Sequence, residues 1–266
     1  MKRFHTYPAL MALITLFVLA GCSSGKSPHG YGAYGYGKKG ATKGSYHGYG
    51  KRTGPPEDIP QHILEHTNAD GSGINLNNSH IGVKGIRILA ETPKAENVRT
   101  LALKSNDLGD EGVKILADSQ TFKNLEKLSL WDNKITPTGA QMLVDSANFK
   151  GLKELNLMQN KLSDAGVKTL VNSSVVDSLT LLDLSKNEIT DEGAIAIANS
   201  PKLVNLKRLD LYRNQIGPEG AKALLNSPYL KNLEHLELTA NAIDVDTSNS
   251  LKESHALPNL RYLAIY

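Results

Sequence analysis

His62 and His66 stand four residues apart in the stretch PPEDIPQHILEHTNA, residues 55–69. On a helix this spacing puts both imidazoles on one face, where two such side chains can share a metal ion. The HEXXH pattern of metalloproteases is absent, because Ile63 follows His62, and no third ligand is evident. The expectation is a polar face on a short cap helix, with no metal and no cofactor. The chain also lacks a GxSxG elbow, a Walker loop and a CxxC pair. Cys22 is the only cysteine, so no disulfide framework exists. Acids such as Asp110, Glu111, Asp191 and Glu192 fall at expected helix starts, where negative charge complements the helix dipole. No catalytic residue is assigned, and the chain is expected not to be an enzyme.

The elements that must carry any site are set by a repeat. From Asp70 the sequence recurs every 27 residues, with copies starting at Asp70, Asn97, Asn124, Gly151, Ser178, Asn205 and Asn232 and a partial one at Asn259. A fixed period of this length marks a stack of supersecondary units. Positions five (Ile74, Leu101, Leu128 and onward to Leu263) and seven (Leu76, Leu103, Leu130 and onward to Ile265) are apolar in every copy. That alternation predicts a short strand with one buried face. Position ten is Asn106, Asn133, Asn160, Asn187, Asn214 and Asn241, an amide suited to a turn, but Ser79 in the first copy. Position thirteen (Gly109, Thr136, Ser163, Thr190, Gly217) is expected to N-cap a helix. Position sixteen is glycine in the first six copies, which predicts close packing of the helix on the strand or the next helix; Thr247 replaces it in the seventh.

The pattern LxxLxLxxNxLxxxGxxxL resembles the leucine-rich repeat, specifically the ribonuclease-inhibitor-like subclass; LSLWDNKITPTGAQML and LDLYRNQIGPEGAKAL are close renderings. The resemblance covers about three quarters of the chain. It implies an α/β solenoid, with a curved parallel sheet inside and helices outside. Function is not implied, since such folds serve as inhibitors, receptors and effectors.

Positions four, six and eight point away from the core onto the concave sheet face. Trp131, Met158, Leu181 and Tyr212 are expected to form an apolar strip there, beside an acidic stripe of Asp183, Asp210 and Glu237, with Arg208, His235 and Tyr262 at one end. Trp, Tyr, Met and Arg are enriched in interface cores, so these ten residues are the partner-binding candidates. The last strand, around LRYLAIY, has no helix after it; an open edge of this kind could pair with a second copy.

The expected organisation has four parts. Residues 1–21 form a lipoprotein signal peptide, with Lys2 and Arg3 before an apolar run. Leu19-Ala20-Gly21-Cys22 resembles the bacterial lipobox, which implies lipidation at Cys22 and a bacterial envelope location, with Ser23 favouring the outer membrane. Residues 22–54 form a Gly/Tyr/Lys-rich tether whose r.m.s. reach is roughly 30 Å. Residues 55–69 are a cap helix, with Ile59, Ile63 and Leu64 over the open end of the stack, and 70–266 are the repeats. Removing +2 for Lys2 and Arg3 and +6 for residues 23–53 from the chain's +3 leaves −5 on residues 54–266. The expected function is non-catalytic protein binding by a membrane-anchored arc. The alternatives are a structural tether gripping anionic lipid or cell wall through residues 23–53, and regulation of a periplasmic or surface enzyme. Nucleic acid is not an expected partner.

Overall fold

A computed structural model describes residues 54–92, 95 and 97–266. The expected signal peptide, Cys22 and the tether up to residue 53 lie outside the described residues.

After helix α1 (Ile59–Glu65), strands and helices alternate. The strands are β1 (Gly73–Asn75), β2 (Thr100–Ala102), β3 (Lys127–Ser129), β4 (Glu154–Asn156), β5 (Leu181–Asp183), β6 (Arg208–Asp210), β7 (His235–Glu237) and β8 (Tyr262–Ala264). The helices are α2 (Gly82–Ala90), α3 (Gly109–Asp118), α4 (Pro137–Asp145), α5 (Ser163–Val171), α6 (Asp191–Ala198), α7 (Pro218–Leu225) and α8 (Val245–Glu253). The strands form one parallel sheet in sequence order, and every register pair is 27 residues apart, as in Leu128↔Leu155. The core lies between sheet and helices. Leu128, Leu130, Ile135 and Leu143 of one repeat are fully buried, as are their counterparts in the next. The largest buried side chains, Phe122 and Phe149, come instead from the return loops after α3 and α4.

Three polar ladders tie the repeats together. The first is the asparagine at position ten. Its Nδ2 donates to the position-seven carbonyl of the preceding repeat, as Asn133 does to Leu103 at 2.8 Å. Its Oδ1 accepts backbone N–H groups of that same repeat, as Asn160 does from Asn133 and Ile135, both at 3.0 Å. The second ladder was not anticipated. Serine recurs at position twenty-three, and Ser146, Ser200 and Ser227 each donate to a carbonyl at the end of the helix of the repeat before.

The third ladder corrects two expectations. Asp110, Asp164 and Asp191 do more than complement their own helix dipole: each reaches forward to the next helix start. Asp164 accepts from Thr190 N at 2.9 Å, Thr190 Oγ1 at 2.7 Å and Gly193 N at 3.0 Å. This carboxylate, at the start of the preceding helix, is the nearest group that three of the recurring glycines make room for, so the expected close approach to a neighbouring helix holds. A Cβ on Gly220 would also lie 2.9 Å from Ala194 Cβ in α6, and one on Gly166 3.3 Å from Pro137 Cα in α4. A Cβ on Gly193 or on Gly220 would lie 2.5 Å from Asp164 Oδ1 or Asp191 Oδ1 respectively. The same residue sets how the next helix begins. Thr136, Thr190 and Gly217, which follow repeats carrying the Asp, are extended, with φ −104, −101 and −96. Gly109 and Ser163, which follow Val83 and Pro137, turn left-handed at φ 56 and 50, so Ser163 is not the expected N-cap. Repeat seven follows Pro218 and caps itself through Asp244 on Thr247 N at 2.8 Å, with Thr247 where the other repeats carry glycine.

Helix α1 closes the first end of the stack. Asp58 caps it, and Ile59 and Ile63 join the core, but Leu64 is 44 % exposed and covers nothing. The chain after α1 pairs with the outer edge of β1 through an antiparallel bridge, Thr67↔Ile74. At the other end, β8 pairs with β7, and Tyr262 and Tyr266 are exposed.

Candidate binding face

The sheet face opposite the helices is built by alternation. Within each three-residue strand the middle side chain enters the core, and its neighbours face outward. In β5 this gives Leu181 and Asp183 outward and Leu182 buried; in β6, Arg208 and Asp210 around Leu209; in β7, His235 and Glu237 around Leu236. Position eight adds Trp131, Met158 and Tyr212 just past their strands.

The ten candidates do not form one continuous exposed strip. Trp131, Leu181 and Tyr212 are half-buried. Met158 is only 2 % exposed, yet it is not a member of the main core cluster, so it is packed on the sheet face and offers a partner almost no surface. Lys104 Nζ sits 3.4 Å from the centroid of the Trp131 ring, a cation–π contact the sequence did not suggest. The Arg213 guanidinium lies 5.4 Å from the Tyr212 ring.

Around β5–β8 the other candidates form a charged cluster. Asp183, Asp210 and Glu237 are lateral neighbours through the register Asp183↔Asp210 and Asp210↔Glu237. They are not an open acidic stripe, however. Asp210 is 8 % exposed and is held by Arg208 Nε at 2.9 Å, with His235 Nε2 at 3.3 Å from its other oxygen. Those two last atoms, Asp210 Oδ1 and His235 Nε2, are buried and face each other without hydrogen-bond geometry. The His235 ring stacks on Tyr262, centroids 4.1 Å apart and planes 9° off parallel. Partial burial, and then the charge of Glu237, raise the Tyr262 hydroxyl above its ordinary pKa.

Asp183 is the group most displaced from its ordinary state. Burial, and then the neighbouring Asp210, push its carboxyl to about 6, against stabilising contacts from Ser185. Asn156 Nδ2 donates to it at 3.1 Å. A folded-state pKa above the unfolded value means that ionising Asp183 opposes folding. Its contribution to stability is therefore complete below about pH 4 and is lost as pH rises through about 6. Asp183→Asn should raise the melting temperature at pH 7, corresponding to about 1–2 kcal/mol after solvent screening. The gain should disappear at pH 4, and parallel melting curves of both proteins at the two pH values check it.

Five segments, residues 94–117, 123–144, 152–171, 178–198 and 202–225, match the family model described as a leucine-rich repeat. The fold is a leucine-rich-repeat solenoid. No curated protein matches this sequence. Among solved structures, the plant peptide hormone receptor RGFR1 in complex with RGF2 is similar at 22 % identity and a TM-score of 0.39, over 69 % of this chain and 26 % of that one. The chain thus spans about a quarter of that receptor's length. Within the solenoid, the columns that recur are absorbed by the core and the three ladders, which leaves the outward sheet positions as the chemically individual part of the domain.

Proposed function

We propose that the repeat domain binds a protein partner through the outward sheet face and does no chemistry on it. The observation that carries this reading is the clustering of interface residue types where packing does not require them. Trp131 under Lys104, Tyr212 beside Arg213, and His235 stacked on Tyr262 all lie on this face. Solenoids present such faces as extended recognition surfaces, and aromatic and Arg side chains dominate the binding energy of interfaces. The −5 charge of residues 54–266 favours a partner that brings positive charge.

The same reading holds the domain at a bacterial membrane. The Leu19-Ala20-Gly21-Cys22 motif supports lipidation at Cys22, and the Gly/Tyr/Lys-rich segment, which has no acidic residue, supports a tether beside an anionic surface. Crosslinking of the native protein in its own cells tests both parts. Trp131→Ala with Tyr212→Ala should abolish the crosslinked species while leaving the melting temperature within a few degrees. Cys22→Ser should move the protein out of the membrane fraction. A species that survives the double substitution but is lost on deleting residues 23–53 would assign the contact to the tether and make the protein a structural envelope element.

A further inference from the structure

Away from the sheet face, helix α1 gathers three metal-ligating side chains. One ring nitrogen of His62, one of His66 and a carboxylate oxygen of Glu65 lie within 4.8 Å of one another. We propose that these residues form a site for a zinc-class divalent cation on the cap of the solenoid. Glu65 is the third ligand that the His-pair spacing did not reveal. At i+3 from His62 it shares the face on which His66 sits at i+4, and a mixed imidazole–carboxylate set suits zinc. The order His-x-x-Glu-His also occurs in the inverzincin metallopeptidases. That pattern supports the spacing of the two histidines alone, since the Glu of such His-pair zinc motifs is a general base; the placement of Glu65 as a ligand rests on the geometry of this helix.

The outer contacts of the two rings are those of metal-binding histidines. His66 Nδ1 is 2.8 Å from the His62 carbonyl, an acceptor, so Nδ1 carries the proton and Nε2 the lone pair. His62 Nε2 is 2.9 Å from Ser79 Oγ, a hydroxyl able to accept from it, and in the tautomer that donates there the His62 lone pair lies on Nδ1. A hydrogen bond from the second ring nitrogen orients a ligand imidazole and raises its basicity. Ser79 is also the break in the asparagine ladder. Each asparagine donates to the carbonyl just past the strand of the repeat before it, as Asn106 does to Leu76; Ser79 has no earlier repeat to serve, and its hydroxyl meets His62 instead. Gln61 Nε2 holds one Glu65 oxygen at 3.0 Å. A cavity of about 420 Å³ borders the site, lined by residues 54–58, Gln61, His62 and Glu65. Its Glu57 and Asp58 carboxylates favour a dication, and the space admits water or an external carboxylate as the remaining ligand.

Zinc titration of the full chain against a chromophoric chelator tests the site, followed by Co²⁺ substitution to report coordination. One equivalent should be lost from His62→Gln with His66→Gln, and Glu65→Gln should weaken binding at least about tenfold. Ser79→Ala should weaken it by about 10- to 100-fold, the range for an outer-shell partner. Exchanging His29 and His47 of the basic lead for Gln should leave that equivalent in place. Zinc at a hundredfold excess over Kd should raise the melting temperature of the wild type by about 5 °C and that of the double His variant not at all. The same zinc stoichiometry and affinity in the double His variant, or no zinc bound by the wild type, overturns the proposal; unchanged far-UV dichroism excludes misfolding as the cause of a loss.

Discussion

Asn160→Ala should destabilise the solenoid by about 3–5 kcal/mol, the largest effect expected for any single polar truncation in the stack. Asn160 is 6 % exposed and serves two repeats at once. Its Nδ2 donates to Leu130 O at 3.0 Å, Leu157 O at 2.8 Å and Met158 O at 3.3 Å. Its Oδ1 accepts from Asn133 N and Ile135 N. Alanine removes every one of these partners and supplies none, and an unsatisfied buried backbone group costs about 1–3 kcal/mol. The penalty cannot be relieved locally, because Asn133 and Ile135 belong to the neighbouring repeat, whose register is set by its own strand. Urea unfolding followed by circular dichroism gives the magnitude, and hydrogen exchange gives the location: the amides of Asn133 and Ile135 should exchange faster. Asn172, exposed at the end of α5, has a single side-chain bond, to Lys168 O at 2.8 Å, and Asn172→Ala should shift stability by about 0.5 kcal/mol or less.

Gly193→Ala should also destabilise, by about 2–3 kcal/mol, although helix propensity alone favours Ala over Gly by up to ~1 kcal/mol. The two effects have opposite signs, so the measurement decides between them. The new methyl would lie 2.5 Å from Asp164 Oδ1 and 2.6 Å from Ile189 Cγ2. The carboxylate cannot retreat without giving up Thr190 N, Thr190 Oγ1 and Gly193 N, the donors that begin α6. A double-mutant cycle with Asp164→Ala isolates this contact. The cost of Gly193→Ala should fall by about 1–2 kcal/mol in the Asp164→Ala background, with the remainder due to Ile189. A stabilising Gly193→Ala would mean that the glycine recurs for a reason other than the inter-repeat carboxylate.

Much of the fold was legible because a repeat states its pattern many times. Alternation at positions five and seven, the apolar residue at twelve and the Leu or Ile at twenty each recur at 27-residue intervals, and these columns are buried apart from Leu263 in the last strand, which is half-buried. The period also predicts the register, since equivalent residues of adjacent units must pair, as Leu155↔Leu182 do. Less legible was what the polar columns touch. A glycine that packs and a glycine that admits a carboxylate are the same letter, and the carboxylate comes from the repeat before. The serine column at position twenty-three was visible, but its acceptors are helix-end carbonyls 29 residues earlier, as in Ser200 to Val171. For the candidate face, alternation identified which residues point outward, but not how far each is covered: Met158 is buried by its neighbours, and Asp210 is enclosed between Arg208 and His235.

By itself the sequence determined the period, the element order, the buried columns and the outward columns, because those depend on hydrophobic spacing within one unit and on a translation that never varies. The tertiary structure alone decided what the units do to one another: which carboxylate starts which helix, which asparagine closes which turn, and that Ser79 meets the His62 ring. Those relations cross from one repeat or element to the next, and they exist only once the stack brings residues about 27 positions apart, or the cap and the first turn, within a few ångströms.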